Sequence, residues 1–560
     1  MTKLAYTVLT ALATFSCGIL SKLLPSLVTL SKGMSNLFNL SYVDCALDPD
    51  HLATGLRIGL IIACFSQYCT CVIVHRIFLH PLSRYPGPEL AKISSLYSIY
   101  HAWRGDRHLD LLRLHGKYGS VVRYGPNSLS FNSPHAVSAI YTHDKNIAKT
   151  SFYNFFDVNK TTKHTQSIID KHSHGRRRRI LSQALSEKVL RGMEVKIICH
   201  VQKLCNALGH GSSATSNVWS DTKDMSLWTL YYAIDTITDL CFGYCASTID
   251  SPINRDIAKL IETSSQKALI ASLCGKSFII HNQKILAQRL KSEIHTADSD
   301  ILSHLINAKQ DRDNGSLFSS SELWAESNLL MIAGSETISV ALSATLFYIV
   351  HNDDIHQVLN AEVRTTFSAT NQIRLGQRLE SCEYLRACIN EAMRLAPPVP
   401  GILPREVECD GVYIDGFPVP KGTEVGVSAY AIHHNASCYP EPFLYNPTRW
   451  IRSKDSQSDG IDLAHFAFCP FSAGTRGCLG KSLAYAELSL ALARIVFVYD
   501  MRVEPIQFRV QSPAGERDFG RHKTMEYKLR DAYIGMKCGP NIQFKSRMID
   551  DNDSVDQQLH

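Results

Sequence analysis

Phe471-Ser472-Ala473-Gly474-Thr475-Arg476-Gly477-Cys478-Leu479-Gly480 decides how the rest of this chain is read. It is a loop of small residues running into an Ala-, Leu- and Glu-rich stretch, Leu479 to Tyr499, whose propensities predict a helix. Cys478 sits at the mouth of that helix. There the unpaired backbone N–H groups and the positive end of the helix dipole favour negative charge on sulfur, which suits a metal-bound thiolate. Gly474 and Gly480 let backbone approach a flat, bulky group, Arg476 offers a cation to an acidic edge, and Phe471 shields one side of the sulfur.

Outward from this loop, composition narrows the classes. The 560 residues are 45% hydrophobic and 20% charged, an ordinary globular balance with length for one large core or two to three domains. A net charge of +6 is too mild to indicate a nucleic-acid partner. None of the 17 cysteines forms a C-x-x-C pair, which argues against zinc ribbons, thioredoxin-like redox pairs and covalently attached haem. Set in apolar context, as at Cys199, Cys205, Cys241 and Cys245, most read as reduced residues of a cytosol-facing protein.

Two apolar stretches open the chain. Leu4 to Leu30, interrupted by Lys22 and Pro25, reads as a signal-like segment, a first span or an interfacial helix. Leu56 to Val74 is stronger: as a helix its 19 residues cover about 28 Å, close to the hydrocarbon thickness of a bilayer. His75, Arg76, Arg84 and Lys92 follow it, whereas Asp44, Asp48 and Asp50 precede it, so the positive-inside tendency puts everything after residue 75 in the cytosol. With both stretches spanning, Asn39-Leu40-Ser41 is a luminal glycosylation site.

Closely spaced prolines in His80-Pro-Leu-Ser-Arg-Tyr-Pro86-Gly-Pro88 then set a stiff exit. Tyr118 to Phe131 predicts a β-hairpin. Residues 141–170 lack periodicity and carry Phe152, Tyr153, Phe155 and Phe156, read equally as core packing or as a loop over a pocket. His174-Gly-Arg-Arg-Arg178-Arg opens a helix, and its arginines are a solvated basic face or a docking surface for an acidic protein. From 188 to 310 the pattern is mostly helical. Gly209-x-Gly211-x-x-Ala214 follows a helix, not a strand, so it is no dinucleotide fingerprint, and electrons for any redox chemistry come from outside the chain.

Ser319-x-x-Glu322 is a capping box for a long apolar helix, Leu323 to Val350. Inside it Ala333-Gly334-Ser335-Glu336-Thr337 breaks the helix's own preferences, the mark of a functional segment. Glu391-Ala-Met-Arg394 puts acid and base on one helix face before Pro397-Pro398 ends it. Leu403-Pro-Arg405 precedes a strand-rich stretch, and Pro447-Thr-Arg449-Trp450 comes before the cysteine loop.

Taken together, Phe-x-x-Gly-x-Arg-x-Cys-x-Gly, the Ala-Gly-x-Glu-Thr helix, E-x-x-R, P-x-R-W and the HPL…PGP hinge resemble the cytochrome P-450 family over residues 80–545, in family order. The resemblance implies a mainly α fold with small β-sheets, holding haem b between the long central helix and the cysteine helix, behind an N-terminal anchor. Residues 1–79 are then the anchor, 80–547 the catalytic domain and 548–560 a polar tail. It implies Cys478 as axial ligand of the haem iron, with Phe471, Gly474, Arg476 and Gly480 around it. Arg405 and the pair His174 and Arg178 would meet the propionates, His174 standing where the family has tryptophan. Gly334 would make room above the iron, Thr337 would hold dioxygen and its water, and Glu336 would relay protons. Glu391, Arg394 and Arg449 would form a structural lock. The implied reaction is insertion of one oxygen atom into a C–H or C=C bond, with electrons from an NADPH-dependent reductase, or with cytochrome b5, at the endoplasmic reticulum membrane. The HPL…PGP hinge, Tyr430 to His433 and Gly539-Pro540 to Phe544 most resemble fungal enzymes of secondary metabolism, hence an apolar terpenoid, polyketide or alkaloid substrate. A reductase-independent isomerase or dehydratase and a non-catalytic haem protein are the rival classes.

Overall fold

Ser319 accepts from the Glu322 N–H at 3.2 Å, while Glu322 accepts from the Ser319 N–H at 2.9 Å, so the expected capping box closes and starts a helix over Ser320–Val350. The computed structural model to which this helix belongs describes residues 49–143, 146–157, 162–215, 217–268, 300–307, 309–310, 313–316, 318–451, 458–504 and 526–547. From Ile338 to Val350 every side chain of this central helix is buried, which explains why its apolar residues run all round and not along one stripe. Its hydroxyls fold back on carbonyls one turn earlier, Ser343 on Ser339 and Thr345 on Ala341, each at 2.7 Å, so they cost little in the core.

Helix Met225–Phe242 packs most extensively on the central helix, with Glu383–Leu395 and Lys481–Val498 on its other sides and Glu187–Leu208 beyond. Leucine, isoleucine and valine from all of these build one large core cluster. The predicted hairpin forms from Val121–Gly125 and Ser128–Phe131, antiparallel. It continues into a five-stranded sheet: Glu424–Val427 lies parallel to Ser128–Phe131, then come Arg405–Val407 and Ile147–Lys149, both antiparallel to their neighbours. Leu529–Ala532 and Ile534–Lys537 form a separate hairpin whose turn residue, Tyr533, has φ +76°.

Two described helices are long and apolar enough to cross a membrane. The central helix is 67% buried over its apolar part, as a core helix should be, whereas Ile58–Leu79 is uncovered. The latter belongs to helix Pro49–Val74 and one wider turn, His75–Leu79. That turn is tied to the body: the buried Arg123 guanidinium donates to the Arg76 carbonyl at 2.8 Å, and Arg76 donates to the Ile93 carbonyl. The next helix of the chain with a free apolar face, Leu96–Arg104, exposes Leu96, Ile99, Tyr100 and Trp103 at helical spacing. Leu4 to Leu30, Asn39 and the tail from residue 548 lie outside the described residues.

Candidate functional site

A cavity of about 610 Å³ opens between the central helix and the cysteine helix. Its floor is the cysteine loop. The Cys478 N–H donates to the Phe471 carbonyl at 2.8 Å and the Gly477 N–H to the Gly474 carbonyl at 3.0 Å, so the loop is held by its own backbone. A Cβ on Gly474, where φ is +65°, would lie 2.2 Å from the Tyr141 carbonyl oxygen, which leaves no room for any other residue. At Gly480 the nearest atom to such a Cβ is the Cys478 sulfur itself, at 3.8 Å, so that flank stays open. Phe471 packs beside Tyr485, with ring centroids 5.3 Å apart, and lines the cavity with Cys478.

The regular helix begins at Lys481, two residues later than propensity alone suggests. Burial pushes the Cys478 thiol up, more strongly than the Gly480 N–H and the charges of Arg178 and Lys481 pull it down.

The opposite wall is the Ala333–Thr337 segment. Thr337 faces the cavity, its hydroxyl donating to the Ala333 carbonyl at 2.6 Å. Gly334 also lines it, yet a Cβ there would meet Ile237 Cδ1 at 2.6 Å, so close packing of helix Met225–Phe242 is what this glycine visibly serves. Glu336 is buried and does not line the cavity; its charge acts on Lys537 of the C-terminal hairpin. The helix thus separates the hydroxyl and the acid that the sequence sets side by side.

One edge of the cavity gathers Lys149, His174, Arg178, Arg405 and Arg476. Lys149 and Arg405 are directly opposed across the antiparallel pair, an arrangement that repels. Arg476 donates to the Ile168 and Ile169 carbonyls at 2.6 and 2.7 Å, Arg178 to the Gly477 carbonyl at 2.7 Å, and Arg405 to the Tyr153 hydroxyl at 2.9 Å and the Pro404 carbonyl at 3.0 Å. Among the described residues no carboxylate forms an ion pair with any of the five. Burial, then the charges of Arg405, Arg476 and Arg178, bring Lys149 down to about 6. Burial and the same cations bring His174 down to about 3, so its ring is neutral and can donate one N–H.

These residues fit the haem that the resemblance implies. A sulfur faces the cavity, Gly480 leaves the flank beside it open to a flat group, and five basic side chains that no carboxylate pairs among the described residues match two acidic substituents on one edge. Tyr153, Phe155 and Phe156 line the cavity too, and Phe156 packs on Tyr533 with centroids 4.6 Å apart, so the aromatic loop is a cavity wall and not merely core filling.

Behind the floor, Glu391 accepts from Arg394 Nε at 2.8 Å and Nη2 at 2.9 Å, from Arg449 Nε at 2.9 Å, from the Asn446 N–H at 2.9 Å and from Trp450 Nε1 at 2.9 Å. Burial alone would raise its pKa; Arg394, Arg449 and Asn446 outweigh that and hold the carboxyl below its ordinary value. Both arginines expected in the lock therefore meet on the Glu391 carboxylate. Sequence reasoning missed Lys149, Trp450, Tyr533, His433 and Glu487. Trp450 stands inside the quoted P-x-R-W segment, and His433 ends another quoted segment, but a lone lysine in a three-residue strand carries no signal. Glu487, on the cysteine helix, lines the cavity with one oxygen unpartnered, and burial pushes its carboxyl up to about 8.

Against known proteins, the family model described as Cytochrome P-450 matches residues 86–280 and 265–524. A cytochrome P-450 monooxygenase, poxM, of Penicillium oxalicum is 36% identical over 516 residues, 89% of this chain and 96% of its own. Another, of Alternaria alternata, is 37% identical and covers 85% of this chain and 95% of its own. A third, atnE of Emericella nidulans, is 34% identical over 89% and 97%.

Proposed function

This chain belongs to the cytochrome P-450 family and is a monooxygenase, an oxidoreductase that uses molecular oxygen; we propose that it hydroxylates or epoxidises a bulky apolar secondary-metabolite intermediate with electrons from an NADPH-dependent reductase. The observation that carries this reading is one cavity that joins the Cys478 sulfur, a basic edge that no carboxylate pairs among the described residues, and the hydroxyl of Thr337. Bound there through Cys478, the haem–thiolate group supplies the activation of dioxygen.

The chain's own residues do the rest. Arg405, Arg476, Arg178, Lys149 and His174 bind and orient the acidic edge of the group. Phe155, Phe156 and Ile332 keep the cavity apolar and select an apolar substrate. Thr337, donating to Ala333, turns its oxygen lone pairs toward the cavity, where they hold a water; rotating off Ala333 frees its proton for delivery. Glu336, turned away from the cavity, has no direct contact with that water. Arg176 and Arg179 are exposed and available to an acidic electron donor, while Arg177 is engaged with Glu322 and Glu326. Ile58–Leu79 anchors the chain in the endoplasmic reticulum membrane with the catalytic domain in the cytosol. The free apolar face of Leu96–Arg104, close to the tied exit of that helix, supports contact with the same surface.

The test is product formed per NADPH consumed, with a matched reductase, in the wild type and in Thr337→Ala. Product falls by on the order of a hundredfold while NADPH consumption continues and hydrogen peroxide rises. An unchanged ratio removes Thr337 from the mechanism, and product without any reductase overturns the reductase-driven reading. In the same preparations Cys478→Ala loses the red-shifted Soret band of the reduced carbon monoxide complex and Cys469→Ala keeps it.

A further inference from the structure

We propose that His433 is a positioning residue that ties the cysteine loop to the buried lock and so determines where Cys478 presents its sulfur. The inference rests on the reading of Cys478 as the haem ligand. His433 ends helix Ala429–His433 and is fully buried. Its Nδ1 lies 3.1 Å from the Arg394 carbonyl oxygen, and its Nε2 lies 3.0 Å from the Cys469 backbone nitrogen. A carbonyl only accepts and a backbone N–H only donates, so the two contacts together permit a single tautomer, with Nδ1 protonated and Nε2 bare.

Burial, then the Arg394 charge, hold the ring near pKa 3, and it therefore stays neutral over the range in which the protein works. Its face stacks on Phe468, with centroids 5.5 Å and planes 28° apart. Phe468 and Cys469 begin the turn that runs through Phe471 to Cys478. The Ser472 N–H returns to the Cys469 carbonyl at 3.0 Å, and the Cys478 N–H to the Phe471 carbonyl at 2.8 Å. A continuous set of bonds thus leads from Glu391 through Arg394 and His433 into the loop, and none of them involves haem. Without the middle member, the half-buried Cys469 N–H loses its acceptor, and the loop's entry is free to shift.

Three variants of the haem-loaded full chain separate the two bonds. His433→Phe keeps a ring on Phe468 and loses both. His433→Asn places an amide N–H where Nδ1 stood and restores only the bond to Arg394. His433→Gln places an amide oxygen where Nε2 stood and restores the acceptor for Cys469. Hydrogen exchange at the Cys469 amide becomes roughly tenfold faster in the Phe and Asn variants, the loss of one hydrogen bond. The fraction of the reduced carbon monoxide complex with the red-shifted Soret band falls with it, and His433→Gln returns both toward the wild type. Wild-type exchange and a wild-type band in His433→Phe or His433→Asn overturn the proposal. So does His433→Gln behaving as His433→Asn, and this comparison decides alone if His433→Phe does not take up haem. Cys478→Ala run alongside tests the ligand reading: a band that survives there sinks that reading, whereas the exchange result bears only on the tie.

Discussion

Two groups of buried charge lie within this molecule and differ in whether the chain completes them. In the lock, one carboxylate meets two guanidiniums, a backbone N–H and an indole N–H, and Arg394 spends its other donors on the carbonyls of His433, Pro442 and Leu444. At the cavity edge, five basic side chains share a surface with carbonyls and one phenol. Asp170, whose charge acts on Arg476, has its carboxylate engaged with the Ser173 N–H at the start of helix Lys171–Ala184. The lock is satisfied by the chain itself, whereas the edge has the chemistry to bind an anionic group. Removing a charge should therefore cost stability at the first place and ligand affinity at the second.

The largest expected effect tests the first half. Glu391→Ala leaves Arg394 buried without its counter-charge, at a cost of about 3–5 kcal/mol, and chemical denaturation should show little or no folded, haem-loaded protein. Recovery of stable, fully loaded Glu391→Ala would break the contrast. Next is Arg405→Met, on the edge. Haem titration should show affinity lower by about 1.5–3 kcal/mol, the worth of a hydrogen bond to a charged group, while the haem-free protein unfolds at a denaturant concentration no lower than the wild type.

A pH series sharpens the comparison. Lys149 is lowered from 10.5 to about 6, so between those values the folded haem-free chain binds fewer protons than the unfolded one. Its stability then rises with pH across that window and falls as the lysine is forced to charge beside Arg405 and Arg476. Haem carboxylates should flatten this slope, and Lys149→Met should remove the lysine's share of it; an equal slope in Lys149→Met and wild type would contradict the assignment. The smallest effect belongs to Arg449→Lys at the rim of the lock, where a partly exposed charge is kept but its planar fork is lost: about 1 kcal/mol in the unfolding free energy, with haem content unchanged.

Legibility followed sequence locality. The capping box at Ser319 and Glu322, the hairpin from Val121 to Phe131 and the acid–base pair three residues apart in Glu391 and Arg394 each depend on neighbours along the chain, and each was readable. Lys149 and Arg405 stand 256 positions apart and become opposed only through sheet register. The Ala333–Thr337 segment shows the limit best. Its broken propensities announced a functional segment, but side chains one residue apart on a helix point about 100° from each other. Which of Glu336 and Thr337 faces the cavity depended on which helices packed around them.

While the mainly α fold with small sheets followed from the family resemblance of the motifs, spacing and local propensity by themselves determined a run of mostly helical stretches, an apolar stretch of bilayer length before a proline-stiffened exit, and one cysteine at a helix mouth as the place to look for chemistry. These follow from interactions within a few residues, whose energies are present in any local stretch of the chain. Only the tertiary structure decided that five basic side chains crowd one edge with no carboxylate paired to them among the described residues, that Glu336 turns away from the cavity Thr337 lines, and that His433 bridges lock and loop. Those are properties of low dielectric and of groups brought together from distant positions, and neither exists until the core has closed around them.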